Sequence, residues 1–465
     1  MRCGKKIGGF DDRFAPAYCE DSDLAFEVRR RGYQVLYQPL SVVVHFEGVS
    51  NGTDTANGQK AYQVTNQKRF YEKWKNVLEE ENFPNGQNVF LARDRSRNKK
   101  TLLMVDHYVP MYDKDAGSRT VFQYIKLFVN MGYNVKFIGD NFYPHQPYTQ
   151  TLQQLGVEVL IGPYYAKHWK DWLKENGANI GYAFLNRPHI AANYIEEIRK
   201  HTNARIIYYG HDLHFLRERR EYELTGDAGL LASSEKWKQK ELALMRKADV
   251  AYYPSYIEKE EIQQLAPDVN VKAIPAYLFS GVEAQPYHAE MRRDAMFIGG
   301  FGHRPNVDAV KWLATEVMPH LLKRLPELTV YILGSNPPDE VKTLESEHLR
   351  IMGFVTDEEL ERYYSACRLD LVPLRYGAGI KGKVVEAMRY GMPVVTTSVG
   401  AEGISGADSI LTVADSAEEF AQKAASLYQN GEELTARSAA SYRYIREKFS
   451  PENARQIVGP DFDME

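Results

Sequence analysis

Short, nearly all-apolar runs alternating with helical patterns constrain this chain more than any other feature. From residue 101 they read TLLMV, NVKFIGD, VEVLIG, IGYAFL, ARIIYY and DVAYY; near residue 290 the rhythm restarts with AMFIGG, LTVYILG, LRIMGF, LDLVPL, MPVVTT and SILTV. A strand apolar along its whole length must be covered on both faces, and strands separated by helices pair in parallel. Two such series predict an α/β chain with two Rossmann-like domains facing a cleft. In such sheets ligands lie beyond the carboxyl ends of the strands, so the loops after these runs are where chemistry is expected.

The 465 residues fall into three blocks, in keeping with about 150 residues per domain. Residues 1–97 end in the polar linker NVFLARDRSRNKK, preceded by a predicted helix over about 57–80. Residues 98–285 form the first Rossmann-like domain. Residues 286–465 form the second, closing with two helices over 415–448. Lys and Arg number 58 against 62 Asp and Glu, a net charge of −4. That balance argues against a general polyanion binder while leaving room for a local basic site, so no nucleic-acid partner is expected. The three cysteines lack metal-ligand spacing and suit a reducing cytoplasm. No run approaches the ~18 apolar residues of a membrane span. Cytoplasmic placement is therefore expected, with any membrane contact peripheral, at the inner face.

The strongest chemistry lies in the last block. In LVPLRYGAGIKGKVVEAMRYGMPVVTT, residues 371–397, a buried strand runs into a loop with Gly377, Gly379 and Gly382 and then into a helix from about Lys383. Glycines let a backbone approach a ligand closely, and a helix N-terminus offers free N–H groups to phosphate. Lys381 and Lys383 add full charges there, and Glu386, one turn in, can accept from a ribose diol. Taken alone, the glycines would be an ordinary turn; with two lysines and a glutamate they indicate a nucleotide diphosphate. FIGGFGHRPN, residues 297–306, repeats the device: Gly299, Gly300 and Gly302 precede a helix near Pro305, with His303 and Arg304 in the loop.

This block resembles the donor domain of retaining GT-B glycosyltransferases of the group 1, family-four type. The resemblance rests on GGFGHRPNVDAVKWL, GFVTDEELERYY and GAGIKGKVVEAMRYGMPVVTT followed by GAEGI, and covers roughly residues 100–450. It implies that Gly353, Phe354 and Val355 lie against the base, that Glu386 holds the ribose, and that Lys383 and Arg375 meet the diphosphate. It also implies retention at the anomeric carbon. The family often carries a second glutamate with seven residues between the pair; here that position is Ala378. No cofactor is expected beyond the nucleotide-sugar substrate. Helix N-termini with Lys381, Lys383 and Arg375 can neutralise the leaving diphosphate, which can itself take the acceptor proton.

The middle block supplies the acceptor side. Asp115, Ala116, Gly117 and Ser118 in DHYVPMYDKDAGSRT precede a helix. The resemblance brings this glycine loop to the donor phosphates, whereas the local reading makes Asp115 or Ser118 a helix N-cap. His211, Asp212 and His214 in IIYYGHDLHFLRERRE follow a strand. They are the candidate catalytic residues, able to orient an acceptor hydroxyl or stabilise a charged transition state; alternatively Asp212 caps the helix and His214 packs. Arg217 shares the helix face of His214, and Arg187 and His189 of FLNRPH join the same side. No acyl-nucleophile triad and no metal-spaced acidic cluster is present, so no metal site is expected.

The opening segment GGFDDRFAPAYCEDSDLAFEVRRRGYQVLYQPLSVVVHFEGVSNGTD resembles the carboxyl-terminal part of a family-two, inverting GT-A glycosyltransferase. The resemblance implies that Asp21, beside Glu20, deprotonates an acceptor and that His45 ligates a divalent metal. Locally, Asp21 instead caps the helix SDLAFEVRRRG and His45 ends a strand. The donor strands and Asp-x-Asp of that family are missing here, so the block is expected to be a small, inactive α+β remnant. The expected activity is transfer of a sugar from a nucleotide-diphosphate sugar to a glycan or lipid-linked glycan in bacterial cell-surface polysaccharide synthesis. The alternatives are a GT-B-fold nucleotide-sugar epimerase and a non-catalytic nucleotide- or glycan-binding protein.

Overall fold

The computed structural model describes residues 8–36, 41–44 and 60–463. The chain divides into two compact units, Met1–Lys100 and Thr101–Glu465.

The larger unit holds two parallel sheets. The first contains β1 (Thr101–Asp106), β2 (Asn134–Gly139), β3 (Glu158–Leu160), β4 (Ile180–Asn186), β5 (Arg205–Tyr209), β6 (Val250–Tyr253) and β7 (Val271–Ala273), in the order β3-β2-β1-β4-β5-β6-β7. The second contains β8 (Ala295–Ile298), β9 (Val330–Leu333), β10 (Leu349–Gly353), β11 (Leu369–Val372), β12 (Val394–Thr396) and β13 (Thr412–Val413), in the order β10-β9-β8-β11-β12-β13. All residues of β1, β2, β6 and β11 are buried, as their unbroken apolar runs require. Chain order reverses beside β1 in one sheet and beside β8 in the other. Those two switch points open the crevices where ligands collect in this architecture.

Helices cover both faces. Ala116–Asn130 follows β1 and buries Val121, Tyr124, Ile125 and Phe128; such side chains each contribute about 1.5–3 kcal/mol on leaving water. Its first turn is capped by Asp115, which accepts from the Ser118 N–H. Asp357–Ala366 opens with a reciprocal Thr356–Glu359 capping box.

The carboxyl terminus corrects the expected domain boundary. The helices Ala417–Gln429 and Gly431–Lys448 are followed by a third, Pro451–Val458, and a 3-10 turn, Gly459–Phe462. This last segment leaves the second sheet and packs on the first, where Ala454, Val458 and Phe462 join the core. Buried Asp461 accepts from Tyr252 and Lys272, each at 2.6 Å, and from Arg205 at 3.0 Å. The chain thus passes between the sheets twice, and the crossings meet where the Phe279 N–H donates to Phe449 O at 2.7 Å.

The smaller unit is helical among its described residues. Helix Ala61–Glu81 lies against Glu20–Arg30 through Phe26, Phe70 and Trp74. Buried Asp23 accepts from Trp74 Nε1 at 2.7 Å and pairs with Lys73, which also bonds Asp11 at 2.8 Å. Asn66 donates to Phe14 O at 2.8 Å. The expected α+β character is not found here: 33–36 and 41–44 form no strand, and Val42, Val43 and Val44 are exposed. A strand needs partners for its backbone groups, and none of the described residues supplies one. Asp21 is not the helix N-cap, a place taken by Cys19; its carboxylate accepts from the Ser22 N–H at 2.6 Å. His45 lies outside the described residues.

Candidate functional site

Beyond β8 and β11 a cavity of about 410 Å³ opens between the two sheets of the larger unit. The second sheet contributes Gly299, Gly300, His303, Ala378, Lys381, Lys383 and Glu386, and the first contributes Asp115, Arg119, Asp212, Arg217 and Tyr277. The loop after β11 needs its glycines: Gly379 stands at φ +72°, a left-handed conformation costly for other residues. Lys381 then forms the N-cap of the helix Gly382–Arg389, whose free N–H groups sit at the cavity. Opposite, His303 is the N-cap residue of the helix Arg304–Trp312, and Asn306 donates to Gly300 O at 2.7 Å.

Lys383 Nζ donates to Asn306 Oδ1 at 2.6 Å and lies 4.1 Å from the Phe297 ring centre. Burial pulls its pKa down to about 7 against the attraction of Asp370. Asp370, fully buried on β11, has no hydrogen-bond partner on either oxygen among the described residues, and burial pushes it up to about 8. Glu386 Oε1 accepts from Arg119 Nη1 at 3.0 Å, an ion pair between the two halves.

Two expected diphosphate cations are otherwise engaged. Lys381 bonds Gly379 O, and its ammonium is 3.1 Å from Glu402 Oε2. The same carboxylate holds Arg220 at 2.8 Å, which reaches Gly377 O at 2.7 Å. Arg375 is exposed, gripped through both Nε and Nη2 by Asp308, and lines a different cavity. Past β10, Phe354 is 73% exposed and Val355 is half-buried against the core. Neither lines the 410 Å³ cavity.

On the first sheet the polar groups are mostly tied to one another. Asp115 accepts from the Ser118 N–H and hydroxyl at 2.8 and 2.7 Å and from Tyr108 at 2.8 Å, so it caps the helix and lines the cavity at once. Gly117 makes room for a side chain: a Cβ there would lie 2.5 Å from Arg187 Nη2. Arg187 pairs with buried Asp106 at 2.8 Å. Burial opposes the charge of Asp106, but Arg187 and His107 outweigh it and lower its pKa. His211 bonds Asn186 at 3.1 Å; burial, then Arg187, pulls its pKa down to about 3. His214 bonds buried Glu241 at 3.1 Å and packs on Trp237. Burial works against its charge, yet Glu241 and Asp212 raise its pKa. Of the three catalytic candidates only Asp212 lines the cavity, bonded to Arg217. His189 is exposed.

Four residues at or behind this site carry no local motif of their own. Arg119 and Tyr277 read as helix and linker positions, and Glu402 is only one letter of GAEGI. Glu258 is fully buried, accepts from the Leu213 N–H at 3.0 Å and is pushed up to about 8 by burial, with Asp212 and Glu402 adding to it. Among the described residues, no group of three or more His, Cys, Asp or Glu is placed to hold a metal ion, and no helix is long and apolar enough to cross a membrane.

Two parallel Rossmann-like sheets facing a cleft, with the chain returning to the first, define the GT-B fold of glycosyltransferase structures. Residues 292–430 match the family model described as "Glycosyl transferases group 1". Sucrose-phosphate synthase from Thermosynechococcus elongatus superimposes with a TM-score of 0.61 at 15% identity, over 78% of this chain and 98% of that one. Anabaena HepE in complex with UDP and glucose gives 0.55 at 13%, over 78% and 99%. S. aureus TarM in complex with fondaparinux, α-GlcNAc-glycerol and UDP gives 0.56 at 12%, over 78% and 100%. In sequence, a 44.6 kDa protein in the cps region of Klebsiella pneumoniae is 30% identical over 117 residues. That match covers 24% of this chain and spans only 30% of the relative's length.

Proposed function

We propose that the chain is a sugar-nucleotide-dependent glycosyltransferase whose donor lies in the 410 Å³ cavity. The observation that carries this reading is the placement of Lys383 and Glu386 on the first turns of a helix that starts at a glycine loop and faces Gly299–Gly300. Diphosphate oxygens take the helix N–H groups and Lys383; the ribose diol donates to Glu386. The group 1 match over 292–430 covers this half, and UDP is bound by the HepE and TarM neighbours. The cps-region relative supports surface-polysaccharide synthesis as the setting, with a glycan or lipid-linked glycan as the acceptor. Transfer proceeds with retention and without an obligatory metal, the leaving phosphate taking the acceptor proton. Asp212 and Arg217, facing the donor from the first sheet, position the acceptor. The block before residue 98, which resembles part of a GT-A enzyme, takes no part in this transfer.

Incubation with a panel of sugar nucleotides and a surface-glycan extract, followed by proton NMR of the first product with and without chelator, tests this. Acceptor-dependent turnover giving the donor's anomer, unaffected by chelator, is expected. An inverted anomer, or activity that chelator abolishes and a divalent metal restores, contradicts it. Ala378, where the resemblance expects a carboxylate at the cavity wall, favours one second reading, a donor-binding protein without transfer. Tight donor binding with no acceptor-dependent turnover would select that reading, and conversion of free donor would select an epimerase.

A further inference from the structure

A nucleoside diphosphate brings at least two negative charges to its site, and the cations nearest in sequence do not all meet them. Arg375 is held by Asp308 outside the cavity, and Lys381 is held by Glu402 within its wall. Of the lysines and arginines that line the cavity from the second sheet, Lys383 is the one left to meet those charges. Across the cleft Arg119, one turn into the helix Ala116–Asn130, lines the same cavity. Its Nη1 donates to Glu386, its Nε reaches Tyr112 O only at 3.4 Å, and its Nη2 makes no hydrogen bond among the described residues.

We propose that Arg119 is the second diphosphate cation of the donor site, supplied by the opposite half of the molecule. The guanidinium is a planar fork of five donors. One arm can stay on Glu386, which the ribose also engages, while another reaches a phosphate oxygen next to it. A single arginine then reads ribose and diphosphate together. Its platform is fixed to the strand of chain joining the halves. Thr120 donates to Ala276 O at 2.6 Å, Tyr124 to Pro275 O at 2.7 Å, and the Leu278 N–H donates to Gln123 at 2.9 Å. Tyr277, between them, packs so closely on Gly382 that a Cβ there would collide with its hydroxyl. Arg119 and the phosphate-facing helix terminus are thereby held on one frame. The proposal rests on the donor reading and adds to it which side chain completes the charge.

The test is calorimetric titration of wild type, Arg119→Gln and Arg119→Lys with UDP, GDP, ADP, CDP and dTDP and with the matching nucleosides. Arg119→Gln is expected to weaken the preferred diphosphate about ten- to a hundredfold, to leave its nucleoside within about twofold, and to be partly rescued by Arg119→Lys, which restores the charge without the fork. Equal losses for nucleoside and diphosphate without rescue by lysine would reduce Arg119 to a prop for Glu386 and overturn the proposal. Unchanged diphosphate affinity in the folded Gln variant would overturn it as well. If wild type binds none of the diphosphates, the donor reading itself falls and takes this proposal with it.

Discussion

On the second sheet the cleft is walled by glycine-loop backbone and by side chains that include His303, Lys381, Lys383 and Glu386, the last two on the opening turns of one helix; on the first sheet, Arg119 apart, its polar groups are mostly bonded to one another. Among the described residues, Lys383 has the neutral Asn306 amide and the Phe297 face as direct partners, and Glu386 has one arginine from across the cleft. By contrast Asp115 is held by Ser118 and Tyr108, and Asp212 by Arg217; behind them Asp106, Arg187 and His107 form one cluster, and His214 is locked onto Glu241 and Trp237. A glycine loop ending in a helix presents charge to a ligand because the backbone itself builds the seat. Strand-end histidines and aspartates in a crowded crevice satisfy one another first, since an unpaired buried polar group is costly. On the proposed reading the second wall is the binding surface, and the first is chiefly a scaffold that lends selected residues to it.

The largest effect that can break this contrast is on donor affinity. Lys383→Ala and Glu386→Ala should each weaken nucleoside-diphosphate binding by about ten- to a hundredfold, the worth of a charge-assisted hydrogen bond, with the melting temperature preserved. Calorimetry on the folded variants measures this. Unchanged affinity in both would remove the distinction between the walls.

Next comes stability on the scaffold side. His214→Gln should cost about 1–3 kcal/mol in denaturant unfolding, because buried Glu241 loses its charged partner. The folded pKa of His214 lies above its ordinary 6.5. Its ionic contribution is therefore fully present below pH 6.5 and is lost as pH rises through the higher folded value. The deficit of the variant should shrink from pH 6 to pH 9; a deficit that grows with pH would contradict the assigned partner.

Smaller still is Arg375→Ala, which should leave nucleotide affinity within about twofold, since an exposed pair with Asp308 carries little energy. A tenfold loss would return Arg375 to the diphosphate, where the family resemblance places it. Smallest is Asp21→Asn, expected to change neither sugar transfer nor melting temperature; a large loss of turnover in the folded variant would bring the first block back into the chemistry.

Much of this was legible in the sequence, for identifiable reasons. The long strands are continuous apolar runs, and the two glycine loops sit directly after β8 and β11, so strands and donor loops could be read locally. What local pattern does not carry is long-range pairing. Asp308 lies 67 residues from the arginine it captures, and Arg119 is 267 residues from Glu386. The terminal segment PENARQIVGPDF has a thin apolar stripe, Ala454, Val458 and Phe462, whose destination on the first sheet only the fold reveals. The short strand Val271–Ala273 carries no sequence signal because three residues give no period. The run QVLYQPLSVVV looks like a strand in isolation, but its described residues pair with nothing, as a strand's stability belongs to its neighbours.

A crystal structure of the chain with its preferred nucleoside diphosphate bears on the central claim most directly. The diphosphate should lie within hydrogen-bond reach of the Gly382–Arg389 helix N-terminus and Lys383, with the ribose on Glu386. A nucleotide seated elsewhere, for instance in the separate cavity of about 760 Å³ lined by Tyr256, Arg375 and Glu402, with Lys383 and Glu386 untouched, would contradict it.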